Sequence, residues 1–206
     1  YLIEGAGLGL FLLAAIGGTV LLEHPDSPVR AALPDPLLRR ACMGLAMGAT
    51  AVLLVTSPWG QRSGAHFNPA LTLTFFRLGR IEPRDALGYV AAQFAGALLA
   101  AALAGVLFGA LPAHPAVRFA VTQPGSAGPW VAFAAEVAIS FGLMLTILVS
   151  ANAPRLARWT PWLCGLLIAL YIPLEAPISG MSMNPARSLG SAARARETAG
   201  LWVYFA

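Results

Sequence analysis

The sequence predicts an all-α membrane protein: transmembrane helices arranged as an inverted repeat, with two re-entrant half-helices. Three observations carry this. Of 206 residues, 58% are hydrophobic and only 11% charged, where soluble domains carry roughly a quarter charged residues. Five apolar stretches approach or exceed the length of about 20 residues that crosses a hydrocarbon core. One eleven-residue string also occurs twice, 116 positions apart.

The composition excludes several functions. All 13 basic residues are arginines, scattered in short connectors against 9 acids, which is a poor nucleic-acid surface. Cys42 and Cys164 lie in apolar stretches without ligand spacing and read as small buried residues. Three dispersed histidines make no metal site. No Ser–His–Asp set, Cys–His pair, phosphate loop or paired carboxylates can be assembled. Neither an enzyme nor a cofactor is expected.

The first span covers residues 2–22 and contains Glu4; the second and third, 41–61 and 86–110, carry no charge. The fourth, 130–150, holds Glu136, and the fifth, 160–174, stops at Glu175. Residues 68–78 and 184–194 offer 11 helical positions each. At 1.5 Å per residue such a helix reaches roughly 16 Å, near half the core. The tail from Leu201 to Ala206 reads as a sixth span just beginning, the rest of that span largely missing. The organisation predicted is one domain over 1–206, repeat one about 1–110 and repeat two about 127–206, the second truncated. His24 and His114 fall in proline-rich connectors and read as solvated. The connector arginines divide six against six between the two sides, so the positive-inside rule is silent.

The repeat is SGAHFNPALTL at 63–73 and SGMSMNPARSL at 179–189, identical at six of eleven positions, with Thr72 opposite Ser188 as a similar pair. A proline suits the first helical position, where its missing N–H costs nothing. The asparagine before it is a good N-cap. Asn68-Pro69-Ala70 and Asn184-Pro185-Ala186 therefore open two half-helices, and an odd number of spans per repeat makes their entry into the bilayer opposite. If the two caps meet at the midplane, paired amide donors face a passing oxygen. The two helix N-termini add about half a positive charge each.

With two such motifs, each preceded by Ser-Gly, the chain resembles the aquaporin, or major intrinsic protein, family over essentially its whole length. The resemblance implies an aquaporin-like fold and a passive channel for water and small uncharged solutes such as glycerol, excluding ions and protons. It further implies a homotetramer spanning the lipid bilayer, here of a bacterial-type inner membrane. Arg187, where the first copy has Leu71, is implied as the constriction arginine. A gapless count implies Gly48, Ile172 and Met181 as its companions, a wider and more apolar filter than that of strict water channels. Ser188, Ala192 and the Tyr204–Phe205 pair point instead towards water-selective members. His66 is implied to line or gate the pore, with simple packing as the other reading. Glu4 and Glu136 are implied to hold the re-entrant loops through backbone N–H groups. A closed-pore structural or adhesive protein of the same fold is the alternative.

Overall fold

A computed structural model describes residues 1–205; Ala206, the last residue of the tail, lies outside them. The helices are α1 (Leu2–Glu23), α2 (Pro28–Ala32), α3 (Pro36–Thr56), α4 (Pro58–Ser63), α5 (Pro69–Arg77), α6 (Pro83–Phe108), α7 (Pro129–Asn152), α8 (Thr160–Ser179) and α9 (Pro185–Ala195). Among the described residues five are long and apolar enough to cross a membrane: α1, α3, α6, α7 and α8, the last counted from Ala157.

Proline and its caps set most of the starts. Asp35 accepts the N–H groups of Leu37 and Leu38 at 2.7 and 3.2 Å, so the second span begins at Pro36 rather than 41. It ends at Thr56 rather than 61. Ser57, followed by Pro58, caps the separate short helix α4 instead, its side chain accepting from the Gly60 N–H at 2.9 Å. Arg39 and Arg40 thus belong to the first two turns of α3. Arg39 is buried with its charge compensated: Nε donates to Glu23 at 3.0 Å, and Nη1 to the carbonyls of Leu33 and Pro34 at 2.9 and 2.8 Å.

The fifth span runs past Glu175 to Ser179 with Pro173 and Pro177 inside it. Pro177 has no N–H for the carbonyl of Pro173. The Arg40 Nε donates to that carbonyl instead, at 3.3 Å, which tethers α3 to α8. The same two helices pack through Gly44 and Gly48, a Gly-x-x-x-Gly face whose added Cβ atoms would strike the carbonyls of Ala169 and Gly165. Small residues let membrane helices approach in this way, where no hydrophobic drive operates between them. In the first half α1 packs on α6 similarly, with Gly5 against Ala92 and Gly9 against Gly96.

The tail, expected to open a sixth span, is described as far as Phe205. Leu201–Tyr204 form a 3-10 turn whose Val203 and Tyr204 pack on Ala132 of α7. Of the two connector histidines, expected to be solvated, His114 is partly exposed and His24 is not solvated. His24 is buried, and its ring lies 4.6 Å from that of His114.

Candidate functional site: a lumen between two re-entrant loops

The two half-helices meet at their N-termini. Asn68 Oδ1 caps α5 by accepting the N–H of Ala70 at 2.9 Å, and Asn184 Oδ1 caps α9 by accepting that of Arg187 at 3.2 Å. Each amide nitrogen then reaches into the opposite repeat. Asn68 Nδ2 donates to the Met183 carbonyl at 2.7 Å, and Asn184 Nδ2 to the Phe67 carbonyl at 2.9 Å. One N–H of each amide is committed to this cross-link, which leaves one for anything passing. That reciprocity is not deducible from either motif alone.

The loops before the caps repeat hydrogen bond by hydrogen bond. Glu4 Oε1 accepts Ser63 Oγ at 2.7 Å and the His66 N–H at 3.0 Å, and Oε2 accepts the Phe67 N–H at 2.6 Å. Glu136 Oε1 accepts Ser179 Oγ at 2.6 Å and the Ser182 N–H at 2.8 Å, and Oε2 accepts the Met183 N–H at 2.7 Å. Gln93 adds a fourth donor to Glu4 at 2.8 Å. Tyr89 donates to the Ser63 carbonyl at 2.6 Å, and Tyr204 to the Ser179 carbonyl at 2.5 Å. His66 Nδ1 meets Thr72 Oγ1 at 3.1 Å where Ser182 Oγ meets Ser188 Oγ at 2.5 Å, and Thr122 joins the second pair at 2.8 Å.

These bonds hold an expensive backbone. Ala65 and Phe67 in the first loop, and Met181 and Met183 in the second, have φ between 46° and 53°. The left-handed conformation costs side chains with a Cβ roughly 1–2 kcal/mol per residue, and hydrogen bonds to a charged acceptor return about 1.5–3 kcal/mol each. The carboxylates pull the N–H groups to one side. Among the described residues, the carbonyls of Gly64, Ala65 and His66, and of Gly180, Met181 and Ser182, accept no protein hydrogen bond. All six residues line one cavity of about 560 Å³. Non-helical backbone at membrane depth persists only where it is buried in protein or borders water.

Ile172, Met181, Asn184 and Arg187 line this cavity, as do His66 and Asn68. Pro69 and Ala186 are buried behind it, and Glu4 and Glu136 lie behind the loops they hold. Ala70 and Pro185, the remaining members of the two motifs, sit in the first turns of α5 and α9. Arg187 is 9% exposed, its Nη1 finds no protein partner, and among the described residues no acid pairs with it. The residue lines the lumen, with Nη1 buried and unpaired.

Gly48 does not line the cavity. It faces α8, where its bare Cα is what lets the Gly165 backbone approach. On α3 the lining follows Met43, Met47 and Ala51, spaced four apart on one helix face, with Arg40, Leu54 and Val55 towards the two ends. An ungapped count from Asn68 misses Met47 by one position, because the break at Ser57 and the extra helix α4 intervene. A methionine at 43 and again at 47 was the signal in the sequence.

A second cavity, of about 700 Å³, borders the first through Gly64, His66, Phe75 and Ala151 and is lined further by Arg80, Tyr89 and Asn152. His66 stands at this boundary, stacked on Phe75 with centroids 5.0 Å apart and edge-on to Tyr89 at 5.3 Å. It therefore both lines and packs. The opposite end of the first cavity is bordered by Glu23, Arg40 and the segment from Ala116 to Val121, apart from Phe119.

The family model described as major intrinsic protein matches residues 2–206. Aquaglyceroporin AqpS of Rhizobium meliloti (strain 1021) is 36% identical over 186 residues, which cover 90% of this chain and 72% of that protein. A probable aquaporin NIP-type of Nicotiana alata is 38% identical over 154 residues, covering 74% of this chain and 55% of the relative. The chain spans about half the length of the plant relatives it matches. The X-ray structure of the aquaglyceroporin from Plasmodium falciparum superposes with a TM-score of 0.74 at 21% identity, covering 98% of this chain and 87% of that one. At that identity the likeness is one of fold.

Proposed function

The chain belongs to the major intrinsic protein family, and we propose that it is a passive channel for water and small uncharged solutes such as glycerol that excludes ions and protons. It is a multi-pass membrane protein; the proposal adds a homotetramer in a cell's inner membrane. The observation that carries the reading is the pairing of Asn68 and Asn184, each with one amide N–H spent on the opposite loop and one free. A water oxygen between them accepts from both, so its own hydrogens point outward and no proton wire runs through the centre. Arg187 adds charge-assisted donors in a desolvated neck, and the N-termini of α5 and α9 add positive potential against cations.

The solute range follows from the wall. Met43, Met47, Ile168, Ile172, Met181 and Met183 line the cavity, an apolar surface on which the CH groups of a polyol can lie. Its hydroxyls then find Arg187 and the free loop carbonyls. Stopped-flow shrinkage of proteoliposomes holding the full gene product, under an osmotic gradient and then a glycerol gradient, tests this. Both permeabilities should exceed those of empty liposomes. Water flux no faster than the empty control overturns the reading and favours a closed-pore member of the fold.

A further inference from the structure

Two His-Pro dipeptides, at 24–25 and 114–115, lie on connectors far apart in the chain and close in the fold. His24 is the residue after the last turn of α1 and is 7% exposed. Its ring lies 4.6 Å from that of His114, tilted by 58°. The two rings are held alike. Nδ1 of His24 accepts the N–H of Asp26 at 3.2 Å, and Nδ1 of His114 accepts that of Ala116 at 3.1 Å.

A ring nitrogen that accepts carries no proton, so both imidazoles sit in the neutral form protonated on Nε2. The same tautomer argues against a metal here, since a metal on Nε2 would displace that proton while Nδ1 still accepts. His114 leads directly into the lumen wall at Ala116, Val117 and Arg118. Just beyond, Arg118, Phe119 and Ala120 have φ of 45°, 50° and 52°, three successive left-handed residues that need anchors. Phe119 is buried under the Arg194 guanidinium at 5.3 Å, and Arg118 binds Gln123 at 2.7 Å and Glu197 at 3.2 Å. Towards α1 the segment is held by Phe119, which packs in the core with Leu12 and Ile16, and at its start by the histidine stack.

The charged groups around the stack do not offset a second imidazolium. The Asp26 carboxylate lies 3.9 Å from His24 Nδ1 but is almost fully exposed. Glu23 is engaged by Arg39, and Arg30 donates to the Glu23 carbonyl at 2.9 Å. The cations on the rest of the segment and against it are Arg118, paired with Glu197, and Arg194 of α9, over Phe119. Among the described residues no acid pairs with His114.

We propose that the His24–His114 stack is a proton-sensitive latch that fixes the 114–121 segment to the end of α1 and opens that mouth of the lumen in acid. Protonation sets N–H against N–H at both Nδ1 positions and brings two like charges into contact. The stack parts, and the strained segment relaxes away from the lumen.

The flux part of this proposal rests on the channel reading, whereas the latch itself does not. Hydrogen exchange of residues 109–128 is measured in the lipid-reconstituted full chain at pH 7.5 and 5.5, corrected for the intrinsic pH dependence of exchange, alongside glycerol flux. That interval crosses the range in which ordinary histidines change charge. In acid, protection of the segment should fall about tenfold or more and glycerol flux rise about twofold. His114→Phe keeps a ring with nothing to protonate, and His24→Asn keeps an acceptor near the Nδ1 position; either should abolish both responses while His66 remains in place. Unchanged protection in the parent protein, or an equal pH response in both variants, overturns the latch. Loss of protection in acid without solute flux at any pH upholds the latch and overturns the channel reading.

Discussion

Gly48 packs its bare Cα on the carbonyl of Gly165, backbone against backbone, in the interface between α3 and α8. One residue earlier, Met47 is 3% exposed and turned to the lumen. Neighbours in sequence on a helix face directions about 100° apart, so one of them meets α8 while the other borders the pore.

A methyl group at Gly48 must therefore separate two helices. Gly48→Ala should destabilise the protein by about 1–3 kcal/mol, the usual cost of overpacking, and Gly48→Phe should not yield folded protein. Thermal unfolding in detergent reads the first and size-exclusion chromatography the second. A Gly48→Phe variant that folds and merely narrows the lumen would return Gly48 to the filter.

Met47→Ala, by contrast, should keep the fold and widen the lumen. The prediction is a rise in glycerol permeability of about threefold relative to water, since a solute wider than water gains more from removed bulk. Equal gains for both solutes in stopped-flow assays would place the narrowest point elsewhere.

Much of this site is legible in the sequence because its chemistry is local. Asn followed by Pro caps a helix wherever it stands, and a repeated motif before two short apolar segments leaves few topologies. Glu4 and Glu136 stand out in the sequence as acids inside apolar spans that need partners, and the family resemblance, not the residues alone, implies that those partners are the loop N–H groups. Met47 shows in the sequence only through its spacing from Met43, because helix phase cannot be counted from Asn68 across the break at Ser57. The His24–His114 stack was hidden: it joins connectors 90 positions apart, and no pattern within either connector reports the other. The role of Tyr204 was hidden as well, since an aromatic residue in an apolar tail gives no sign of what its hydroxyl meets. That hydroxyl is spent on the Ser179 carbonyl.

Glu136→Gln tests how the second loop is held. The amide keeps the shape of the carboxylate but offers one acceptor oxygen for three donors, Ser179 Oγ and the N–H groups of Ser182 and Met183. Its NH₂ would confront a donor. The loss should be about 3 kcal/mol, and Met183 carries the carbonyl that Asn68 grips. Water flux should fall about tenfold, with a matching drop in the unfolding midpoint. Ser179→Ala removes one donor and leaves the carboxylate, so its effect should be several times smaller. Equal effects would mean that Glu136 acts through Ser179 alone.

Arg187→Ala separates the fixed charge from the helix ends. The guanidinium is buried, its Nη1 has no protein partner, and among the described residues no acid neutralises it. The backbone of Arg187 still caps onto Asn184 after truncation, because that bond uses the N–H. The fold and the amide pair should therefore survive, and water flux should stay within a factor of about two. A charge removed from a desolvated neck takes at least about 1.4 kcal/mol from the barrier to a cation, which is about tenfold in rate. Proton entry, followed with a pH-sensitive dye inside potassium-loaded proteoliposomes containing valinomycin, should rise by that factor. Arg187→Lys retains the charge but loses the planar fork of donors, so it should restore exclusion while lowering glycerol flux. A proton leak unchanged in Arg187→Ala would assign the whole barrier to the N-termini of α5 and α9. A leak that Lys fails to suppress would make the fork of donors, rather than the charge, the decisive property of Arg187.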